Sequence, residues 1–157
     1  RYDANGNITA EKDGPFTEDE PFFSAFRALL PLTDLFLLDI KHIDPARHLV
    51  LTGTSNAPVL ALARYLSEQG KSMWIRHVLV PGWTTAADDL HRLADFIGTL
   101  RTVERVEVLP YHAMARHKYE ALHLPYPLGD TPVPTAEEIA CAEAILCRGK
   151  TCRAEDK

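Results

Sequence analysis

Apolar and polar positions alternate along the chain in two periods, and the switch between them sets out the elements. Thr17-Glu18-Asp19-Glu20 has the form of a capping box, and Phe22, Phe26, Leu29 and Leu30 follow at helical spacing. This predicts a helix over about 18–30, ended by Pro31. Leu35-Phe36-Leu37-Leu38 is a short continuous apolar run leading into Asp39-Ile40-Lys41, the pattern of a strand buried on both faces. Ser55 or Asn56 can cap a second helix with the stripe Val59, Leu62, Ala63 and Leu66, stopped by Gly70. A second strand runs from Met73 to Val80 and closes at Pro81-Gly82. Thr85 then caps a helix carrying Leu90, Leu93, Ala94 and Ile97 on one face. A third strand spans Val103 to Leu109 and ends at Pro110-Tyr111-His112. After a proline-rich stretch, Thr135 and Glu138 form a capping box for a last helix ending near Gly149.

Strands separated by whole helices predict an α/β fold with about three parallel strands and flanking helices, since parallel neighbours need a crossover. Three strands are too few for a closed barrel, so the sheet is expected to keep an open edge. The flanks are polar: residues 1–16 read as a loop or insertion, 17–150 as the folded domain and 151–157 as a tail. Composition adds exclusions. A formal charge of −5 and no long basic run argue against a nucleic-acid surface, and no apolar stretch is long enough to span a bilayer. Three late cysteines, Cys141, Cys147 and Cys152, make no disulfide framework and fit thiols in a reducing cytoplasm. Their spacing matches neither zinc pairs nor a ferredoxin run, and the seven histidines are scattered, so no protein metal site is assigned.

Candidate chemistry collects at the C-terminal ends of the strands, where ligands bind in parallel sheets. Asp39 and Lys41 are two apart and project from one face. They form either a clamp for a zwitterion, with Asp39 accepting from an amino group and Lys41 meeting a carboxylate, or a structural ion pair. Arg76, flanked on its face by Trp74 and Val78, either meets an anion or carbonyl cluster or snorkels to water. His112, after the third strand, is placed to hydrogen-bond a ribose or to act as an acid or base, or is a plain loop histidine.

The segments Leu-Thr-Asp-Leu-Phe-Leu-Leu-Asp-Ile-Lys (32–41), Trp-Ile-Arg-His-Val-Leu-Val-Pro-Gly-Trp-Thr (74–84) and Leu-Pro-Tyr-His (109–112), with His117-Lys118-Tyr119, resemble the pyruvate formate-lyase activating enzyme family. The likeness covers roughly residues 28–148 and leaves residues 1–20 unmatched. It implies the C-terminal half of a partial (β/α)6 radical S-adenosylmethionine (SAM) barrel. In that family a [4Fe–4S] cluster on a Cys-x-x-x-Cys-x-x-Cys loop cleaves SAM reductively, with an electron donor such as flavodoxin. The 5′-deoxyadenosyl radical then takes a hydrogen atom from a glycine of pyruvate formate-lyase. The resemblance implies that Asp39 contacts the SAM amino group or a monovalent cation and Lys41 the SAM carboxylate. It further implies the Leu37 carbonyl at the cation site, His112 at the ribose, and Arg76 facing SAM or the glycine loop. No Cys-x-x-x-Cys-x-x-Cys exists here, and the family's Gly-Gly-Glu segment and third-strand acidic motif would lie upstream. The chain is therefore expected to be the C-terminal part of an activase, inactive by itself. The alternatives are an activase of another glycyl-radical enzyme, or a non-catalytic half-barrel that only binds SAM or a partner protein. Val-Pro-Gly-Trp-Thr and His117-Lys118-Tyr119 favour the pyruvate formate-lyase branch.

Overall fold

A computed structural model of the chain describes residues 26–148. The loop expected at 1–16, the start of the helix expected at 18–30, and the tail at 151–157 lie outside the described residues. Residues 26–29 are helical and tighten into a 3₁₀ turn at Leu30–Leu32, so Pro31 ends the helix one turn later than a clean stop. Strand β1 (Leu35–Asp39) follows, then helices α1 (Pro45–Thr52) and α2 (Ala57–Glu68), strand β2 (Ser72–Leu79), helix α3 (Ala87–Gly98) and strand β3 (Val103–Pro110). A 3₁₀ turn, a short helix α4 (Arg116–Ala121) and the last helix α5 (Ala136–Leu146) complete the described chain. No helix among the described residues is long and apolar enough to cross a membrane.

Among the described residues the sheet has three strands in the order β1-β2-β3, all parallel. Its helices collect on one face. Burial along β2 alternates strictly, with Met73, Ile75, His77 and Leu79 buried and Ser72, Trp74, Arg76 and Val78 half-buried. That is the signature of a sheet packed on one side only. The buried face meets Ala63 and Leu66 of α2, Leu90, Leu93 and Ile97 of α3, and Ala142, Ile145 and Leu146 of α5 in one core with Val106 and Val108 of β3. Strand β1 corrects the expectation of a strand buried on both faces. Leu37 is 50% exposed, because its face of the sheet has no cover among the described residues.

Helix ends match the sequence signals unevenly. Gly70 sits at φ +70°, and its N–H reaches the Ser67 carbonyl while Lys71 N–H reaches Leu66, which closes α2 as expected. Thr135 and Glu138 exchange both bonds of a capping box, and α5 ends at Leu146, three residues short of the glycine. Thr85 does not cap α3. The cap position is Ala86, and Thr85 Oγ1 accepts from Gly82 N–H within the turn after β2. Asp88 and Asp89 occupy the first turn of α3 instead, where their charge favours the helix dipole. Helix α1 was not anticipated, although Asp44-Pro45 carries the signal: Asp44 accepts from Ala46 and Arg47 N–H at 3.0 Å, and Pro45 holds the first helical position. Cys147 also departs from expectation, being disulfide-bonded, while Cys141 is free and exposed.

Asn56 stands at the cap of α2 but spends its side chain elsewhere. Its Nδ2 donates to the His42 and Ile43 carbonyls at 3.2 and 2.8 Å, and the residue is buried. Asn56→Ala would leave two carbonyls short of a donor, a loss of about 1–3 kcal/mol. Thr135→Ala removes only an exposed cap, worth about 0.5–2 kcal/mol. Denaturant unfolding of the two variants should rank Asn56→Ala as the more damaging; the reverse order would show that the segment after β1 is not anchored by this residue.

Candidate binding site at the strand ends

The open face of the sheet is a small grid set by register. Leu37 pairs with Trp74 and Trp74 with Arg105; Asp39 pairs with Arg76 and Arg76 with Glu107. Side chains two apart on a strand share a face, so these residues all project from the side that carries no helix. The upper row alternates in sign across the strands, acid–base–acid.

Asp39, at the β1 end of the row, takes two ion pairs. Arg76 Nε donates to its Oδ1 at 2.6 Å, and Lys41 Nζ donates to its Oδ2 at 2.8 Å. Burial pushes the Asp39 carboxyl up, but the hydrogen bonds and charges of Lys41 and Arg76 more than reverse this and hold it below the ordinary carboxylate value. The three side chains are each about one-third exposed, so the pairing is solvated and its Coulomb attraction is partly screened. Arg76 uses only Nε on Asp39; its terminal amino groups have no hydrogen-bond partner among the described residues. The structure thus brings together three of the residues singled out from the sequence.

The other two stand nearby without joining the cluster. Leu37 lies two residues below Asp39 on the same face, in the strand that among the described residues pairs only with β2. Ile40 N–H bonds the Arg76 carbonyl at 3.0 Å, and in a parallel ladder alternate residues turn their carbonyls to opposite sides. The Leu37 and Asp39 carbonyls therefore point towards the unpaired edge of β1. His112 is exposed at the same end of the sheet, just after β3, where it precedes the turn Ala113–Ala115. It makes no hydrogen bond among the described residues, and it does not touch the Asp39 cluster.

Sequence reasoning passed over the lower row. The Arg105 guanidinium lies over the Trp74 ring, 4.0 Å from its centroid, and its Nη1 reaches Glu107 Oε1 at 3.3 Å. The signal was present as two charges at period two within a strand, Arg105 and Glu107. It also passed over the segment behind the site. His42 is buried, its Nδ1 accepts from Asp44 N–H at 3.0 Å, and its Nε2 lies 3.7 Å from Asp89 Oδ2. Burial pushes its pKa down, against the pull of the Asp89 carboxylate. Asp89 is held by Arg47 at 2.9 Å and Arg92 at 3.2 Å, and Arg92 also reaches Asp44. These pairs tie the start of α1 to the start of α3.

The cluster of Asp39, Lys41 and Arg76 offers one carboxylate and two cations to a small ligand carrying both signs of charge, while Glu107 in the same row is paired with Arg105. Among the described residues no group of histidine, cysteine, aspartate or glutamate side chains could hold a metal ion. One surface recess among the helices is lined by Ala94, Ile97 and Leu146, and none of the residues of the row contributes to it.

No family model matches the sequence. The chain is 44% identical over 131 residues to a pyruvate formate-lyase-activating enzyme of Streptococcus mutans, covering 83% of this chain and 50% of that protein. It is 45% identical over 133 residues to the enzyme of that name from Listeria monocytogenes, covering 85% and 54%. Against the one from Staphylococcus aureus it is 44% identical over 129 residues, covering 82% and 51%. Among solved structures, a domain of pyruvate-formate lyase-activating enzyme from Bacteroides vulgatus superposes with a TM-score of 0.68 at 21% identity, over 83% of this chain and 72% of that one. That likeness establishes the shared fold. The chain spans about half the length of the curated relatives it matches, as a C-terminal part would. Over that half, the chain is a homologue of the pyruvate formate-lyase-activating enzymes.

Proposed function

We propose that this chain is the SAM-binding half of a radical activase that prepares pyruvate formate-lyase for catalysis. The observation that carries the reading is Asp39 held between Lys41 and Arg76 on the open face at the strand ends. SAM presents an ammonium and a carboxylate on one carbon. Its ammonium can take the place of Lys41 at Asp39 Oδ2, and the released Lys41 can meet its carboxylate. One ion pair plus a zwitterion becomes two ion pairs, and the exchange is cheap because the Lys41–Asp39 pair is solvated. Arg76 keeps Asp39 oriented through Nε and has its terminal amino groups left for SAM or for the glycine-bearing loop of the partner. The outward carbonyl of Leu37, with Asp39, suits a monovalent cation, and His112 is placed to reach the ribose after a modest movement.

SAM, reductively cleaved, supplies the carbon-centred radical that removes a hydrogen atom from the partner's glycine. The iron–sulfur cluster that delivers the electron does not fit the cysteines of this chain: the three-cysteine loop is absent, Cys141 is free and Cys147 is disulfide-bonded. The chain's own work is therefore to bind and orient SAM. The cluster, the contact with an electron donor such as flavodoxin, and the cytoplasmic setting belong to the intact activase. The Val-Pro-Gly-Trp-Thr turn and the names of the relatives favour pyruvate formate-lyase over other glycyl-radical enzymes as the partner.

Three outcomes test this reading. In the full-length protein Lys41→Ala removes a charge-assisted hydrogen bond of about 1.5–3 kcal/mol, which should weaken SAM binding about tenfold to a hundredfold in calorimetric titration. Asp39→Asn should weaken it too. Unchanged affinity with a lowered melting temperature in both variants would make the pair scaffold. The second test is iron content. The 157-residue chain alone, reconstituted anaerobically with iron and sulfide, should keep no stoichiometric iron through gel filtration; retained iron would force a different ligand set. The third concerns pH. The Asp39 carboxyl is depressed in the folded protein, so its ion pairs stabilise the fold above the ordinary carboxylate value and are lost as pH falls through the depressed one. Asp39→Asn should remove that part of the acid dependence of stability, as read from melting temperatures across the acid range.

A further inference from the structure

Ile40 separates the two residues of the clamp, and both its backbone N–H and its backbone carbonyl are held by β2. Its N–H donates to the Arg76 carbonyl at 3.0 Å, one bond beyond the paired strand residues. Its carbonyl accepts from His77 Nδ1 at 2.8 Å. A carbonyl cannot donate, so the proton of this bond belongs to Nδ1, and the neutral ring leaves Nε2 as a bare acceptor. That Nε2 is buried and makes no hydrogen bond of good geometry among the described residues, with the Thr84 backbone beside the ring. The site is costly for an imidazole: His77 is 3% exposed, and a ring nitrogen without a good hydrogen bond is poorly placed there. A leucine would fill the volume without that penalty. What the histidine supplies is the donor.

The donor acts where the chain leaves the sheet. β1 ends at Asp39, while Lys41 must still project to the same face as Asp39 for the two to meet at 2.8 Å. The His77 bond extends the strand's constraint over Ile40 by a side chain, and the buried Ile40 side chain locks the same residue from the core. The neighbouring segment is anchored separately, by Asn56 on the His42 and Ile43 carbonyls.

We propose that His77 is a positioning residue for the Asp39–Lys41 clamp, holding the Ile40 peptide so that both side chains address one zwitterionic ligand. The inference rests on the SAM reading above and adds to it a residue that touches neither SAM nor the reacting atoms. The test compares His77→Asn, whose amide can donate from near the Nδ1 position, with His77→Gln, whose amide lies near Nε2, and with His77→Leu, which has no donor. SAM dissociation constants are measured by calorimetry in the full-length protein, well below each variant's melting temperature, with Lys41→Ala alongside. His77→Asn should stay close to the parent, while His77→Gln and His77→Leu should bind SAM about three- to tenfold more weakly, the loss of one neutral hydrogen bond's worth of positioning. Should His77→Leu fail to fold, the Asn-against-Gln comparison decides alone, because the two amides differ in where the donor sits. Equal affinity for Asn and Gln variants, with Lys41→Ala still impaired, overturns the positioning role and leaves the SAM site standing. Undiminished affinity in Lys41→Ala as well overturns the site and the role together.

Discussion

The register between β1 and β2 is the constraint on which the site depends. Pairing Asp39 with Arg76 places a carboxylate beside a guanidinium across 2.6 Å, and only this alignment does so. A slip of one residue would turn Asp39 into the helix-covered face and bring Ile40 out of the core. The apolar residues opposite, Met73, Ile75 and Leu79, hold the alignment by needing the same face as Ile40 and Val106. Core packing and site chemistry are thus two sides of one ladder, and the buried side enforces the geometry of the exposed side.

The helices add a second restraint at the ends of the strands. The residues after β1 do not drift into a free loop, because Asn56 at the head of α2 holds two of their carbonyls, and Asp44 both caps α1 and reaches Arg92 on α3. Thr84 does a related job after β2, accepting from Val80 N–H at 2.7 Å and donating to the Val78 carbonyl at 2.8 Å. Polar side chains near strand ends here serve mainly to continue backbone hydrogen bonding past the point where the ladder stops.

Much of this was legible beforehand, for identifiable reasons. Strands and long helices announced themselves through period two and period 3.6, and Thr135 with Glu138 behaved as local chemistry dictates. Asp39 and Lys41 were readable because charge at the end of an apolar run needs a partner, and two residues of spacing put both on one face. Thr85 misled because a threonine in a tight turn can bond the turn's own backbone as readily as a helix start. The continuous apolar run of β1 implied two covered faces, whereas Leu37 is bare in the described residues. His77 was invisible as anything but a scattered histidine: its meaning depends on the carbonyl of Ile40, 37 positions away, and no local pattern encodes that.

The Trp74–Arg105 stack has a geometric consequence. It lies one residue pair below the Asp39–Arg76 row, about 7 Å down the strands. A flat indole capped by a guanidinium fills the β2–β3 part of the open face below the row, while Leu37 on β1 stays bare beside it among the described residues. The open face is thus filled under the charged row at β2 and β3 and bare at β1, so room below the row remains only on the β1 side.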